Sequence, residues 1–244
     1  SINQILWIDI ATFIVALIPL LIVRIPLVTK KATEVNLSFR KGFTQGLSQI
    51  KNHQGLLPLF LLALIVNLLI TPLTTLLPYF VMFDHLGGAA DLALVEALFE
   101  GGMLAGGLAM SIVGVFKRKA PIIALSFYAI FIGYLLIALS PTGAFLFMGT
   151  MGLIAAIFIP ILNVLAATIT QTVIPLDMQG RVNSVNLALV TAATPIGMIA
   201  SGAFVEFVNT SYLFAGCAVI GIISITFMWL FTGLRHVEAQ VPKS

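Results

Sequence analysis

Two glutamates with helical spacing are the strongest chemical signal in this sequence. Glu96 and Glu100 lie four residues apart in a largely apolar run, residues 91–119, that is long enough to cross a lipid bilayer. Four residues make about one turn of an α-helix, so both carboxyl groups share one face. Ionisable groups inside a membrane span usually face a bundle interior or a water-filled cavity. The pair is therefore a hypothesis for a site that takes up and releases protons.

The depth of Glu100 in the membrane supports this hypothesis. Glu100 lies nine residues after Asp91, which is about 14 Å of helix, while half of a hydrocarbon core is about 15 Å. Glu96 lies one turn closer to the end marked by Asp91. Because no Lys or Arg lies inside a predicted span, away from its ends, neither acid has a counter-charge there. The alternative interpretation is a permanently protonated glutamic acid that is hydrogen-bonded to a neighbouring helix, and it applies to both residues.

The composition identifies the elements that must position these acids. The chain has 244 residues, 60% hydrophobic and 9% charged, with a mean hydropathy of +1.13, whereas soluble domains are about 25% charged. It is therefore an integral membrane protein, and an all-α one, because lipid offers the backbone no hydrogen-bond partner. The single cysteine, Cys217, excludes an intrachain disulfide, and the three histidines fall outside the predicted spans. We expect no metal site and no cofactor.

Hydropathy predicts seven transmembrane helices. The predicted spans are residues 5–23, 56–83, 92–116, 121–139, 144–173, 182–208 and 212–234. All twelve Lys and Arg lie after the first, third, fifth and seventh spans or at those span ends. Since basic residues accumulate in cytoplasmic loops, this pattern predicts an external N-terminus and a cytoplasmic C-terminus.

The sequence between and around the spans predicts four regions. Residues 1–26 hold the first span, and residues 27–55 form a cytoplasmic central loop. Residues 56–234 form a six-helix bundle, and residues 235–244 form a cytoplasmic tail. Within the central loop, Phe39, Phe43, Leu47 and Ile50 recur at helical spacing after Ser38, a capping residue. We expect an amphipathic helix on the membrane surface over residues 38–52; the alternative is a solvated linker.

Two cytoplasmic loops carry a resemblance to a known family. Residues 173–182 read Val-Ile-Pro-Leu-Asp-Met-Gln-Gly-Arg-Val, and residues 114–119 read Gly-Val-Phe-Lys-Arg-Lys. With the topology, they resemble the C-terminal half of a major facilitator superfamily transporter, in the drug-proton antiporter branch that includes macrolide and enterobactin exporters. The second loop is similar to a degenerate copy of the superfamily's cytoplasmic signature, but no Asp precedes Arg118.

The resemblance implies a fold, a location and partners. The first span would be the sixth of twelve helices, and the other six would form two inverted three-helix repeats. We expect a fragment of a longer protein whose missing N-terminal half is a partner, together with lipid, a small-molecule substrate and protons, and no nucleic acid. The implied location is a bacterial inner membrane. The implied function is proton-coupled efflux of amphipathic, drug-like compounds such as macrolides.

Several polar residues are candidates for a transport site. The second and fifth spans are long and contain prolines, and Asn67 and Asn163 lie near their middles, which is the pattern of a midplane site. Further candidates lie in the sixth span and the basic loops. Asn186 and Thr194 are candidates for the cavity wall, and Lys117, Arg118, Lys119 and Arg181 for topology or gating. The alternative for each asparagine is a hydrogen bond that joins two helices.

Other functions remain as alternatives. A siderophore or lipid exporter of the same superfamily fits the topology equally well, and a structural bundle without transport activity fits the glycine content of residues 91–119. A membrane enzyme is disfavoured, because HExxH, GxSxG and P-loop motifs are absent from the sequence.

Overall fold

The computed structural model describes residues 7, 10–15, 17, 39–53, 55–114, 116 and 118–237. It divides into two units, Ser1–Ser38 and Phe39–Ser244. The described residues of the first unit are helical. Most of the predicted span 5–23 lies outside the described residues, as do Lys117 and the tail from residue 238.

The second unit consists of helices and the loops between them. Six of its helices are long and apolar enough to cross a membrane, so the prediction of an all-α membrane bundle is confirmed. In chain order the helices are α1 (Phe39–Asn52), α2 (Leu56–Tyr79, continued by a π-helical turn, Phe80–Asp84), α3 (Ala89–Val113), α4 (Lys119–Ala138), α5 (Phe145–Val173), α6 (Leu176–Val205) and α7 (Thr210–Phe231), followed by a 3₁₀ turn, Gly233–His236.

The helix α1 packs against the start of α6. Ile50 is buried, and Gly46 lies so close to α6 that a β-carbon would come within 2.9 Å of the Arg181 carbonyl oxygen and of Val185. Arg181 also donates a hydrogen bond to the Gln45 side-chain oxygen at 2.7 Å. One face of the predicted amphipathic helix is therefore occupied by protein. Its contact with a membrane surface remains an expectation.

The helix α6 begins earlier than the sequence predicts. We expected a loop up to Arg181, but the helix starts at Leu176 with Pro175 at its N-cap. Pro175 cannot continue a preceding helix, and its carbonyl oxygen accepts hydrogen bonds from the Met178 and Gln179 amides at 2.9 and 3.1 Å. Asp177 lies in the first turn, where its charge complements the helix dipole. Arg181 consequently lies on a helix and not in a loop.

The six long helices form two interlocked groups of three. The first helix of each group packs against the second and third helices of the other: α2 contacts α6 and α7, and α5 contacts α3 and α4. The third helices, α4 and α7, contact each other. This pattern is unchanged when α2, α3 and α4 are exchanged for α5, α6 and α7. It fits the predicted half-bundle of two inverted repeats.

Glycines permit the equivalent close contacts in the two groups. A β-carbon on Gly106 of α3 would overlap the Ile157 carbonyl oxygen and lie 2.8 Å from Pro160 of α5. A β-carbon on Gly197 of α6 would lie 2.7 Å from Thr71, the residue before Pro72 of α2. In each case a glycine of a second helix packs against the opposite first helix, at an internal proline or at the residue before one. Such small-residue contacts allow membrane helices to approach closely.

The two ends of the bundle differ in charge. We call the end that carries Lys51, Arg118, Lys119, Arg181 and Arg235 the basic end, and the end that carries Asp84, Asp91 and Glu206 the acidic end. The smallest buried shares belong to α3 and α6, at 17% each, against 56% for α4 and 50% for α2. Much of the surface of α3 and α6 is therefore available to lipid or to further protein.

A buried histidine lies at the acidic end of the bundle. His85 is 5% exposed, follows the π-helical turn of α2 and packs edge-on against Phe80, with ring centroids 4.3 Å apart. Burial lowers the pKa of His85 below its usual value of 6.5, whereas a hydrogen bond to the Pro141 backbone and the charge of Asp84 act in the opposite direction. The imidazole is therefore neutral at pH 7 and joins the end of α2 to the turn between α4 and α5.

The contact between α3 and α5 can be tested with two adjacent glycines. We expect Gly106→Ala to lower the free energy of unfolding by about 1–3 kcal/mol, because the methyl group meets α5 backbone that cannot move aside. Gly107→Ala is the control, since its β-carbon would meet no atom within 4 Å. The measurement is denaturant unfolding of the purified protein in detergent. Equal stability of the two variants would contradict the close contact.

The pKa of His85 predicts how stability depends on pH. Since its folded-state pKa is lowered, the unfolded chain binds more protons than the folded chain once the pH falls through the usual value. The folded state then loses stability as acid is added. We expect the melting temperature to fall between about pH 7 and about pH 5, and to fall less in His85→Gln. His53→Gln, which alters the histidine directly after α1, is the control and should retain the wild-type slope. Identical slopes for wild type and His85→Gln would refute the prediction.

Candidate functional site

A large cavity of the described bundle lies between α2, α5 and α6. Its volume is about 680 Å³, and Phe127 and Ile130 of α4 form part of its wall. This volume lies within the range of small-molecule sites, about 300–1,000 Å³. The lining includes Gln171 at the end of α5 and Gln179 at the start of α6, so the cavity extends toward the basic end. We call it the amide cavity, because carboxamide side chains supply most of its polar groups.

Three of the four predicted cavity residues lie together in this wall. Asn67 comes from α2, Asn163 from α5 and Asn186 from α6. Thr194 lies two turns beyond Asn186 on α6, is half-buried and does not line the cavity. None of the described residues that line the amide cavity is ionisable. The wall can therefore bind a ligand through hydrogen bonds and apolar contacts, without an ion pair.

Several polar side chains of α2 donate hydrogen bonds within their own helix. The Asn67 side-chain amide donates to the Ala63 carbonyl oxygen at 2.8 Å, and the Thr71 hydroxyl donates to the Asn67 carbonyl oxygen at 2.6 Å. These bonds allow polar groups to occupy a membrane helix without a partner on another helix. Among the described residues, the hydrogen bond of the Asn67 side chain therefore lies within α2 and does not join two helices.

Sequence analysis missed part of the polar wall. Thr170, Gln171, Gln179 and Asn183 also line the cavity. Their spacing contained the signal: residues 163, 167, 170 and 171 fall on one helical face, and residues 179, 183 and 186 fall on another. The second face was not recognised in full, because Gln179 had been assigned to a loop and not to the first turn of α6.

The glutamates lie in a second, smaller cavity. Glu96 and Glu100 of α3 line a space of about 350 Å³ with Thr74 of α2 and Gly152 of α5. Both glutamates are exposed on the described chain, so this chain alone does not bury them. The cavity lies toward the acidic end, since Thr74 is near the end of α2 and Glu96 near the start of α3. We call it the carboxylate cavity; no described residue lines both cavities.

In their first and second helices the two cavities are related by the exchange of the three-helix groups, although residues of α4 line both. The amide cavity uses both first helices, α2 and α5, with the second helix α6. The carboxylate cavity uses the same two first helices with the other second helix, α3. Because inverted repeats point in opposite directions, equivalent spaces lie at opposite ends of one bundle. The structure therefore separates the predicted asparagines from the predicted glutamates.

The predicted basic residues lie at the end of the bundle. Arg118 is exposed directly before α4, and Lys119 is the first residue of that helix. Arg181 follows Gly180, which lines the amide cavity, and donates hydrogen bonds to Gln45 of α1 at 2.7 Å and to the Met178 sulfur at 3.3 Å. Arg181 is thus positioned to hold α1 against the helix that forms the cavity wall.

Comparison with known proteins gives related sequences. Macrolide efflux protein A of Streptococcus pyogenes is 26% identical over 214 residues, which is 88% of this chain and 53% of that protein. Its namesake in Enterococcus faecalis is 25% identical over 198 residues, 81% of this chain and 61% of that protein. The chain is similar to bacterial macrolide efflux proteins. No protein-family model matches it.

This similarity agrees with the architecture. The resemblance to half of an efflux transporter, stated from the loop at residues 173–182 and the topology, is confirmed, and the apolar helical bundle fits a major facilitator superfamily half. The chain is a multi-pass membrane protein. It spans about half the length of the Streptococcus pyogenes relative that it matches.

Cysteine labelling tests whether the amide cavity contains water. In a Cys217→Ser background, which removes the single native thiol, we expect Ala167→Cys to react at least about tenfold faster with a water-soluble maleimide than Ala156→Cys, because thiol reactivity requires access. Both residues lie on α5, but Ala167 lines the cavity whereas Ala156 is 0% exposed. Equal labelling rates in membranes would show that the cavity is closed to water.

Proposed function

We propose that this chain is the C-terminal half of a secondary active transporter that exports amphipathic, drug-like compounds such as macrolides. The amide cavity carries the proposal: a space of about 680 Å³, apolar with a few converging amides, open on a membrane bundle. Such a lining suits a large molecule that is mostly apolar and has several hydrogen-bonding groups. The relatives named as macrolide efflux proteins support the choice of substrate.

The partner of this chain would be an N-terminal half of the same transporter. Three observations support this. The chain matches about half of its Streptococcus pyogenes relative. The amide cavity uses α6 and the carboxylate cavity uses α3, and these two helices have the smallest buried shares of the six spans. In transporters built from repeats, substrate sites form at the interface between the repeats. An N-terminal half placed against α3 and α6 would complete both cavities.

The charges at the two ends support an orientation. Lys and Arg accumulate at one end of the bundle, while Asp84, Asp91 and Glu206 lie at the other. By the positive-inside rule the basic end would be cytoplasmic, which includes the C-terminus, and the membrane would be the bacterial inner membrane. The amide cavity would then receive substrate from the cytoplasmic side. The carboxylate cavity would face the external side, from which protons enter.

Glu100 and Glu96 would couple export to proton entry. In the carboxylate cavity the two acids lie one helical turn apart, and the described residues around them are apolar or uncharged. Once a second half covers this surface, the ionised form of Glu100 loses hydration and has no cation among these neighbours. A carboxyl group in such a place exchanges protons when water reaches it and stays neutral when water is excluded. Alternating access would thus link its protonation to the direction in which the substrate site opens.

The basic residues would orient and control the bundle. Arg118 and Lys119 would act mainly as topology anchors, because both lie at the start of α4 where anionic headgroups attract them. Arg181 would have a gating role, because it connects α1 to the wall of the amide cavity. Lys117 belongs to the same basic block in the sequence.

Replacing Glu100 with glutamine tests the coupling. The substitution preserves size but removes the exchangeable proton. We expect Glu100→Gln in the full-length protein to reduce proton-driven macrolide efflux from cells or vesicles by at least about tenfold, the factor that corresponds to about 1.4 kcal/mol, and to abolish its dependence on the pH gradient. Glu206→Gln is the control, because Glu206 is an exposed acid at the same end that lines neither cavity.

The pH dependence decides between outcomes in this experiment. Efflux by Glu100→Gln that still rises with the proton gradient as in wild type would remove Glu100 from the mechanism. Equal losses in Glu100→Gln and Glu206→Gln would indicate a general effect of acidic charge. A full-length protein that exports no macrolide under any gradient would overturn the proposed function itself.

A further inference from the structure

The junction between α5 and α6 leaves two carbonyl oxygens without a backbone donor among the described residues. Pro175 has no N–H, so the Gln171 carbonyl oxygen, four residues earlier, lacks the donor that a continuing helix would supply. The Ile174 carbonyl oxygen lacks one as well, because the Met178 amide donates to the Pro175 carbonyl oxygen at 2.9 Å instead. The end of α5 therefore needs donors from side chains or from water.

The Gln179 side chain supplies a donor to each of these oxygens. Its amide nitrogen donates to the Gln171 carbonyl oxygen at 2.9 Å and to the Ile174 carbonyl oxygen at 3.1 Å. A carboxamide nitrogen carries two hydrogens, so its donors match the two acceptors in number. Because Gln179 lies in the first turn of α6, these bonds run from α6 back to the end of α5. Among the residues that the structure describes, no other hydrogen bond joins the two helices.

The remaining structure holds the angle between α5 and α6 only weakly. Ile174 and Pro175 connect the helices as extended backbone, with ψ angles of 130° and 144°. Beyond this connection the helices pack on different neighbours, α5 on α3 and α4, and α6 on α1 and α2, while α5 and α6 contact each other little. The two bonds from Gln179 are therefore placed to hold the angle between helices that have few other contacts.

The same junction forms one end of the amide cavity. Gln171, Gln179 and Gly180 line this end, and the cavity continues between α5 and α6. A change in the angle between these two helices would change the width of the cavity at its basic end. The shape of the cavity thus depends on a side chain that is itself part of its wall.

We propose that Gln179 is a positioning residue: by pairing with the Gln171 and Ile174 carbonyl oxygens, it holds α5 and α6 at the angle at which the amide cavity binds its ligand. The proposal rests on the proposed export function for the ligand, whereas the effect on the helix angle is independent of it. When the bonds are lost, a smaller fraction of the molecules has the binding shape. The apparent dissociation constant then rises by the inverse of that fraction.

Distances between spin labels test this role without any ligand. Nitroxide labels are attached at Val164→Cys of α5 and Ala188→Cys of α6, exposed positions that line neither cavity, in a full-length protein whose native cysteines are replaced by serine. The distances are measured by double electron–electron resonance. Gln179→Met removes the donors, and Gln179→Lys has an unbranched chain that ends in donors. We expect Gln179→Met to broaden the distance distribution and shift its mean, and Gln179→Lys to restore it toward wild type.

Efflux kinetics test the consequence for the ligand. In Gln179→Met we expect the KM for erythromycin A to rise about two- to twelvefold, the range of one neutral hydrogen bond, and kcat to change by a smaller factor. Thr172→Val is the control, because the Thr172 hydroxyl donates within α5, to the Thr168 and Ile169 carbonyl oxygens at 2.8 and 3.0 Å, and lines neither cavity. Its distances and its KM should stay at the wild-type values.

Each outcome supports or overturns the proposal. Wild-type distances in Gln179→Met would overturn it, and a raised KM with such distances would assign Gln179 to ligand contact instead. Equal broadening in Gln179→Met and Gln179→Lys, or in Gln179→Met and Thr172→Val, would also overturn it, as would altered distances with a wild-type KM. A full-length protein that exports no macrolide would refute the proposed function, while the distances would still decide the role of Gln179.

Discussion

A lipid bilayer offers the backbone no hydrogen-bond partner, and this constraint determines how the chain is arranged. Every span must be helical. The shape of the bundle therefore depends on the distances at which its helices pack. Gly106 and Gly197 bring α3 close to α5 and α6 close to α2. These contacts join helices of different three-helix groups, whereas α5 and α6, neighbours in the sequence, touch little. The spaces left between helices that are neighbours in the sequence form the two cavities. The same packing pattern therefore produces both the close helix contacts and the cavities.

The two cavities are built on equivalent first and second helices, but their walls differ in chemistry. Both use α2 and α5, yet the wall from α6 carries carboxamides and the wall from α3 carries carboxylates. Carboxamides bind without changing charge, and carboxylates change charge without much change of shape. On the proposed function, the two cavities would have different roles. The amide cavity would bind the substrate, and the carboxylate cavity would respond to protons. Movements of the shared helices α2 and α5 would affect both.

Much of this architecture was predictable, because membrane spans are recorded in hydropathy. The bounds of α5, and of α2 together with its π-helical turn, differ from the predicted ones by one residue at most. The start of α6 was wrong by six residues, since Pro175, Asp177 and Gly180 suggested a loop although proline and aspartate also suit the first turn of a helix. The grouping of Asn67, Asn163 and Asn186 was predictable from mid-span polar residues. Their separation from Glu100 was not, because it depends on which helices pack together, and no local pattern encodes that choice.

The position of α1 adds a mechanical consequence to this arrangement. The segment that precedes the bundle is held against α6 by the close approach at Gly46 and by the hydrogen bond from Arg181 to Gln45. Arg181 directly follows Gly180, a residue of the cavity wall. If the chain is half of a transporter whose halves rock against each other, as we propose, α1 would connect the halves, and its movement would pull on the start of α6. On the proposed function, the state of this connection would therefore constrain the wall of the amide cavity.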